Sequence, residues 1–179
     1  MKISKLVIAA TLFAASGAIA DQAMLRPAVP VAADPKIDFV KYTLPNGLEV
    51  LLSSDKSVPL VAVNVWYHVG SGNESYGKSG FAHLFEHMLF QGSKHVGVDN
   101  HFDILKKIGA DGVNGTTNPD RTNYYEIVPS NQLETALWLE SDRMGYLLDP
   151  PGSVKDPANH FKTSLDNQIE VVRNERRQR

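Results

Sequence analysis

The sequence predicts an α+β fold: a two-layer domain in which helices cover one face of an antiparallel or mixed sheet. Three observations predict it. Runs rich in β-branched and aromatic residues fall before residue 70 and again between 112 and 128. Segments with helical spacing lie between and after them. Turn sequences, Asn46-Gly47 and Asn118-Pro119-Asp120, stand where neighbouring strands must reverse.

Taken in order, Asp38 to Leu52 reads as a hairpin around Leu44-Pro45-Asn46-Gly47. Leu60 to Val69 is apolar enough for a central strand, with Pro59 suited to its entry. Gly70 to Gly80 is a loop, and Ser79 is placed to cap a helix from about Gly80 to Gly92. That helix carries Phe81, Leu84, Phe85, Met88 and Leu89 as an apolar stripe, so it is expected to be largely buried. A short helix follows over Asp99 to Ile108, closed by Gly109. Gly112–Thr117 and Asn123–Val128 form the second strand pair. A long helix from Asn131 to Leu148, N-capped by Ser130, is expected to turn Leu133, Leu137, Met144 and Leu148 inward. The Pro-rich stretch Asp149 to Asn159 is an exposed loop, and a last helix starts near Phe161. It meets no capping residue, Gly or Pro before Arg179, so the expected domain, 37–179, is truncated at its C-terminus.

The chain has 179 residues, 42% hydrophobic and 21% charged, an ordinary globular composition with room for one domain. A formal net charge of -2 gives no footing for a nucleic-acid or anionic-membrane partner. Cysteine is absent, so a metal site must draw on His, Asp and Glu, and no disulfide supports the fold. The first twenty residues differ from the rest. Lys2 and Lys5 precede an apolar run from Leu6 to Ala15, and Ala18-Ile19-Ala20 presents small residues where a signal peptidase reads. The run is shorter than the roughly 20 residues of a stable membrane span. Residues 1–20 are therefore expected to be a signal peptide and 21–36 an extended lead-in, with export to the periplasm if the source is Gram-negative.

His83-Leu84-Phe85-Glu86-His87 carries the chemistry. Four residues apart on a helix, His83 and His87 can offer two imidazoles to one ion, and Glu86 lies on nearly the same side. Nitrogen and oxygen donors in this pattern suit zinc, with Glu86 placed as a base toward a water the ion activates. A catalytic zinc needs a third protein ligand, and from spacing alone any remaining glutamate could supply it.

The segment Ser79-Gly80-Phe81-Ala82-His83-Leu84-Phe85-Glu86-His87-Met88-Leu89-Phe90 resembles the inverted zinc motif of the pitrilysin (M16) family, the inverzincins. The likeness continues through Gly112-Val113-Asn114-Gly115-Thr116-Thr117, Asp120 to Tyr125, Glu140 to Met144, and Val171 to Arg177. It implies that Glu175, three residues after Val172, is the third ligand of one Zn2+ per chain, with Glu170 turned about 140° away on its helix. It implies a zinc-dependent endopeptidase acting on peptides or small unfolded proteins, with substrate added as a strand near Asn114 and Gly115. An M16 C-terminal half or partner subunit is implied to complete the site. The alternative is a non-catalytic or incomplete M16-like subunit, but such members typically lose a motif residue, and all four are intact here. Two departures stand out. The interval from His87 to Glu175 is lengthened by the Pro-rich stretch, and Gln168 replaces an acidic residue that relatives use to support the metal. His95 and His101 read as surface or loop histidines.

Overall fold

The computed structural model describes residues 36–149 and 155–178, and the leader, most of the lead-in, residues 150–154 and Arg179 lie outside them. The chain divides into two compact units, 1–54 and 55–179. In the first, β1 (Val40–Thr43) and β2 (Glu49–Leu52) form the expected antiparallel hairpin. Its turn is closed by Leu44 accepting from Gly47 N–H and by Asn46 Oδ1 accepting from Leu48 N–H.

The second unit holds β3 (Leu60–Tyr67), β4 (Asp111–Thr117) and β5 (Thr122–Pro129) with four α-helices. These are α1 (Phe81–Met88), α2 (Asn100–Lys107), α3 (Leu133–Tyr146) and α4 (Pro157–Gln178). The fold is α+β, and both strand pairings of this sheet are antiparallel. Among the described residues the sheet order is β3-β5-β4, so β5 is central and β3 lies at an edge, contrary to the central place expected for it. An apolar run does not say which edges of a strand are paired, and here one face of β3 is open as well, with Leu60 and Trp66 exposed.

Register places Val61, Val63 and Val65 opposite Val128, Glu126 and Tyr124. Period-two alternation puts these on one face, and that face is the one the helices cover. Val63, Val96, Leu105, Val128, Ala136 and Leu139 form its core. α4 packs along α1, placing a helix late in the chain beside the His-x-x-Glu-His segment. Among the described residues no helix is long and apolar enough to cross a membrane.

Several local expectations are corrected. Ser79 does not cap α1, because Gly80 takes the N-cap position with φ +106°, open to a residue without Cβ. The exposed N–H groups instead go to Glu74, whose two carboxylate oxygens accept from Gly80 and Ala82, each at 2.7 Å. α1 is also less buried than its stripe suggests: Phe81 and Phe85 are 53% and 51% exposed. Ser130 opens a 3-10 turn, Ser130–Gln132, instead of capping α3. α4 begins at Pro157, earlier than expected, with Asp156 Oδ1 accepting from Asn159 N–H at its start.

The largest correction concerns α3. Leu137, Met144 and Leu148 face solvent, while Ala136, Leu139, Glu140, Asp142 and Arg143 are buried. Patterning assigns charge to the outside, and here the Glu140–Arg143 ion pair and the bonds of Asp142 to Ser93 and His95 accompany it inside.

Glu74 makes two charge-assisted bonds to a helix N-terminus, so Glu74→Ala should cost about 1–2 kcal/mol in urea denaturation. Ser79→Ala should stay within about 0.5 kcal/mol of wild type in the same assay.

Candidate metal centre

α1 sets His83 and His87 one turn apart, with ring centroids 4.8 Å apart and planes at 82°. Their Nε2 atoms approach to 3.2 Å. Glu175 reaches across from α4, with Oε2 3.3 Å from His83 Nε2 and Oε1 3.7 Å from His87 Nε2. Donors arranged tetrahedrally about zinc at its usual bond lengths lie about 3.3–3.6 Å from one another. The three side chains therefore fit one ion with little adjustment. Their partial exposure leaves room for a fourth, exchangeable position.

The tautomer of His87 points the same way. Its Nδ1 lies 3.0 Å from Gln168 Oε1, an acceptor, so Nδ1 carries the hydrogen. In the neutral ring that leaves a lone pair on Nε2, aimed at His83 and Glu175. Gln168 thus does by an amide oxygen what a carboxylate would do with charge.

Glu86 lies on the sheet side of α1 and is 8% exposed. Thr117 Oγ1 donates to its Oε2 at 2.5 Å. His83, Glu86 and His87 each offer a ligand atom within 4.8 Å of the others, so two carboxylates flank the imidazole pair. They differ in what restrains them: Glu86 is held from the sheet by Thr117, and Glu175 comes from the opposite side on α4.

Asn114 and Gly115 sit on β4, an end strand of the sheet. Asn114 is exposed, and its Oδ1 accepts from the N–H of Gly115 at 2.9 Å. Gly115 is buried against α1. A Cβ there would lie 3.1 Å from Glu86 Cγ, 3.1 Å from Phe90 Cε2 and 3.2 Å from Glu86 Oε1. Its missing side chain is what lets the Glu86 stem lie against the strand. That role was not read from the sequence, although Gly115 and Thr117 share a face by alternation once β4 is assigned.

The two other histidines near the motif stand apart from the centre. His95 Nδ1 is 2.5 Å from Asp142 Oδ1, an anchor for the turn after α1. His101 is buried, not a surface or loop residue: it is 3% exposed, with its ring edge-on to Phe90. Burial first, then the charge of Arg143, lowers its pKa to about 3, so it is neutral.

An apolar cleft of about 600 Å³ opens beside the centre, lined by Phe81, Leu84, Ile169 and Val172 together with His83 and Glu175. Residues 49–144 match the family described as Insulinase (Peptidase family M16). The chain belongs to this family. As an M16 chain it is 33% identical, over 74% of its length, to the insulin-degrading enzyme homolog of Dictyostelium discoideum, of which it covers 13%. It is 37% identical, over 59% of its length, to the zinc protease PqqE of Helicobacter pylori, of which it covers 24%. The crystal structure of a protease from Helicobacter pylori superimposes with TM-score 0.69 at 32% identity, covering 80% of this chain and 32% of that one. The M16 chain thus spans at most about a quarter of these curated relatives. The family match ends before α4, so Glu175 enters the centre on geometry and on its place in the motif.

Replacing Gln168 with Ala removes the acceptor that orients His87. Metal affinity should fall about 10–100-fold in a chelator competition, with little change in the stability of the metal-free chain.

Proposed function

We propose that this chain carries the catalytic centre of a zinc-dependent metalloendopeptidase that hydrolyses peptides or small unfolded proteins. The observation that carries this reading is the approach of three donors, His83 Nε2, His87 Nε2 and the Glu175 carboxylate, to within 3.7 Å of one another. In this reading they hold one Zn2+ per chain. When bound, the ion supplies Lewis acidity, bringing the pKa of a coordinated water to about 7 and polarising a substrate carbonyl.

Glu86 is the general base. It removes a proton from the attacking water and delivers it to the leaving amine. The Thr117 hydroxyl fixes one carboxylate oxygen and leaves the other to take that proton. Gly115, without a side chain, leaves the room against β4 that the Glu86 stem occupies. A peptide adds along the free edge of β4, where its main chain replaces Asn114 Oδ1 as the partner of Gly115 N–H.

An M16 C-terminal half or partner subunit closes over this edge. The small share of each relative that the chain matches supports that expectation. A non-catalytic subunit is disfavoured because His83, Glu86, His87 and Glu175 are all present and drawn together. Export, and a periplasmic destination in a Gram-negative cell, rests on the basic start, apolar run and Ala18-Ile19-Ala20 of residues 1–20.

Metal analysis beside peptidase assay, with the partner half supplied, tests the site. Wild type should hold about one zinc per chain. Glu86→Gln should hold the same and lose at least about 10²-fold in hydrolysis, whereas Glu175→Ala should lose the metal itself. Zinc retained at full occupancy in Glu175→Ala would remove that residue from the ligand set. Separately, N-terminal sequencing of the exported protein should begin at Asp21, and an intact leader on it would refute processing.

A further inference from the structure

Behind the metal centre, the covered face of the sheet holds an unusual amount of charge. Glu126 on β5 and Glu140 and Arg143 on α3 are 1%, 2% and 2% exposed. Glu140 Oε1 accepts from Arg143 Nη2 in a close ion pair. Among the described residues, Glu140 Oε2, both oxygens of Glu126, and Nε and Nη1 of Arg143 are buried with no hydrogen-bond partner. The hydroxyls of Tyr67 on β3 and Tyr124 on β5, and Nε2 of His101 on α2, are buried and unpartnered as well. Arg143 also lies over two rings, 4.4 Å from the Tyr124 centroid and 4.9 Å from that of Phe90.

Two ionised carboxylates against one guanidinium would leave a net negative charge where water is excluded, which is strongly unfavourable. His101 cannot offset it, being neutral. The phenols of Tyr67 and Tyr124 cannot either, since a phenol has only a neutral hydrogen to donate. A single proton removes the excess charge and supplies a missing donor in one step, because a protonated carboxyl donates to the neighbouring carboxylate. We propose that Glu126 holds a proton in the folded chain, a buried carboxylic acid beside the Glu140–Arg143 ion pair, which makes the fold sensitive to mildly alkaline pH.

Burial first, and then the charge of Glu140, push the pKa of Glu126 up to about 8, against the opposing pull of Arg143. The direction of the effect follows by linkage. The folded chain keeps a proton that the unfolded chain releases near the ordinary value of 4.5, so this contribution is complete below 4.5 and is lost as pH climbs to about 8. His101 acts in the opposite sense: its contribution grows as pH rises from about 3 to 6.5 and is constant above. The pKa values of Tyr67 and Tyr124 are raised, chiefly by burial, so both phenols stay neutral across this range. Above pH 6.5, of the groups facing this cluster among the described residues, Glu126 gives the slope.

Thermal unfolding of the full chain, wild type beside Glu126→Gln, tests this. The glutamine amide imitates the protonated acid and cannot ionise. The wild-type Tm should fall by roughly 5 °C relative to the variant between pH 6.5 and about 8. Parallel profiles would overturn the proposal. Should the variant fail to fold, infrared titration of the wild type decides. A protonated-carboxyl C=O band present at neutral pH and lost on alkaline titration supports the buried proton on Glu126, and its absence at neutral pH refutes it.

Discussion

Donor atoms of three side chains on two helices far apart in sequence meet within the span one cation would need, and much of the second unit holds them there. α1 has only eight residues, too few to be stable alone, so its position is imposed from outside. Glu74 ties its N-terminus and fixes where it begins. Gly115 lets it settle onto β4 and fixes its distance from the sheet. α4 lies along its side and fixes its rotation, through Gln168 on one imidazole and Glu175 across both. Each restraint removes a different freedom.

The sheet beneath is shaped by the same need. β5, the central strand, sends Tyr124 toward Phe90 and Arg143, and Glu126 is buried on the same face. Phe90 in turn borders both Gly115 and His101. The floor under Glu86 is therefore a stack of rings on a buried guanidinium, not an aliphatic core. Such a floor is stiff, because moving any member breaks a charged or aromatic contact as well as a packing one.

Much of this was legible in the residues. Asn46-Gly47 and Asn118-Pro119-Asp120 marked both hairpins because turn geometry depends on a few local side chains. The imidazole pair was legible because helical period alone brings His83 and His87 together. What failed depended on distant contacts. Glu74 caps a helix from six residues before Gly80, beyond the reach of a local capping rule. The inner face of α3 was misassigned because Glu140, Asp142 and Arg143 look like surface residues until Glu126, Ser93 and His95 are placed opposite them. Gln168 was visible as a departure, but only the structure shows its amide on His87.

That amide has a further consequence. A carboxylate behind a ligating imidazole makes the ring a stronger electron donor, whereas a neutral amide orients the ring without enriching it. A divalent ion held by this set would keep more of its bare charge for whatever occupies its open position, while being gripped less firmly. With the proposed ion bound, the chain would sit toward the reactive end of a trade-off between retaining that ion and exploiting it, and its occupancy in the cell would follow the local supply of metal closely.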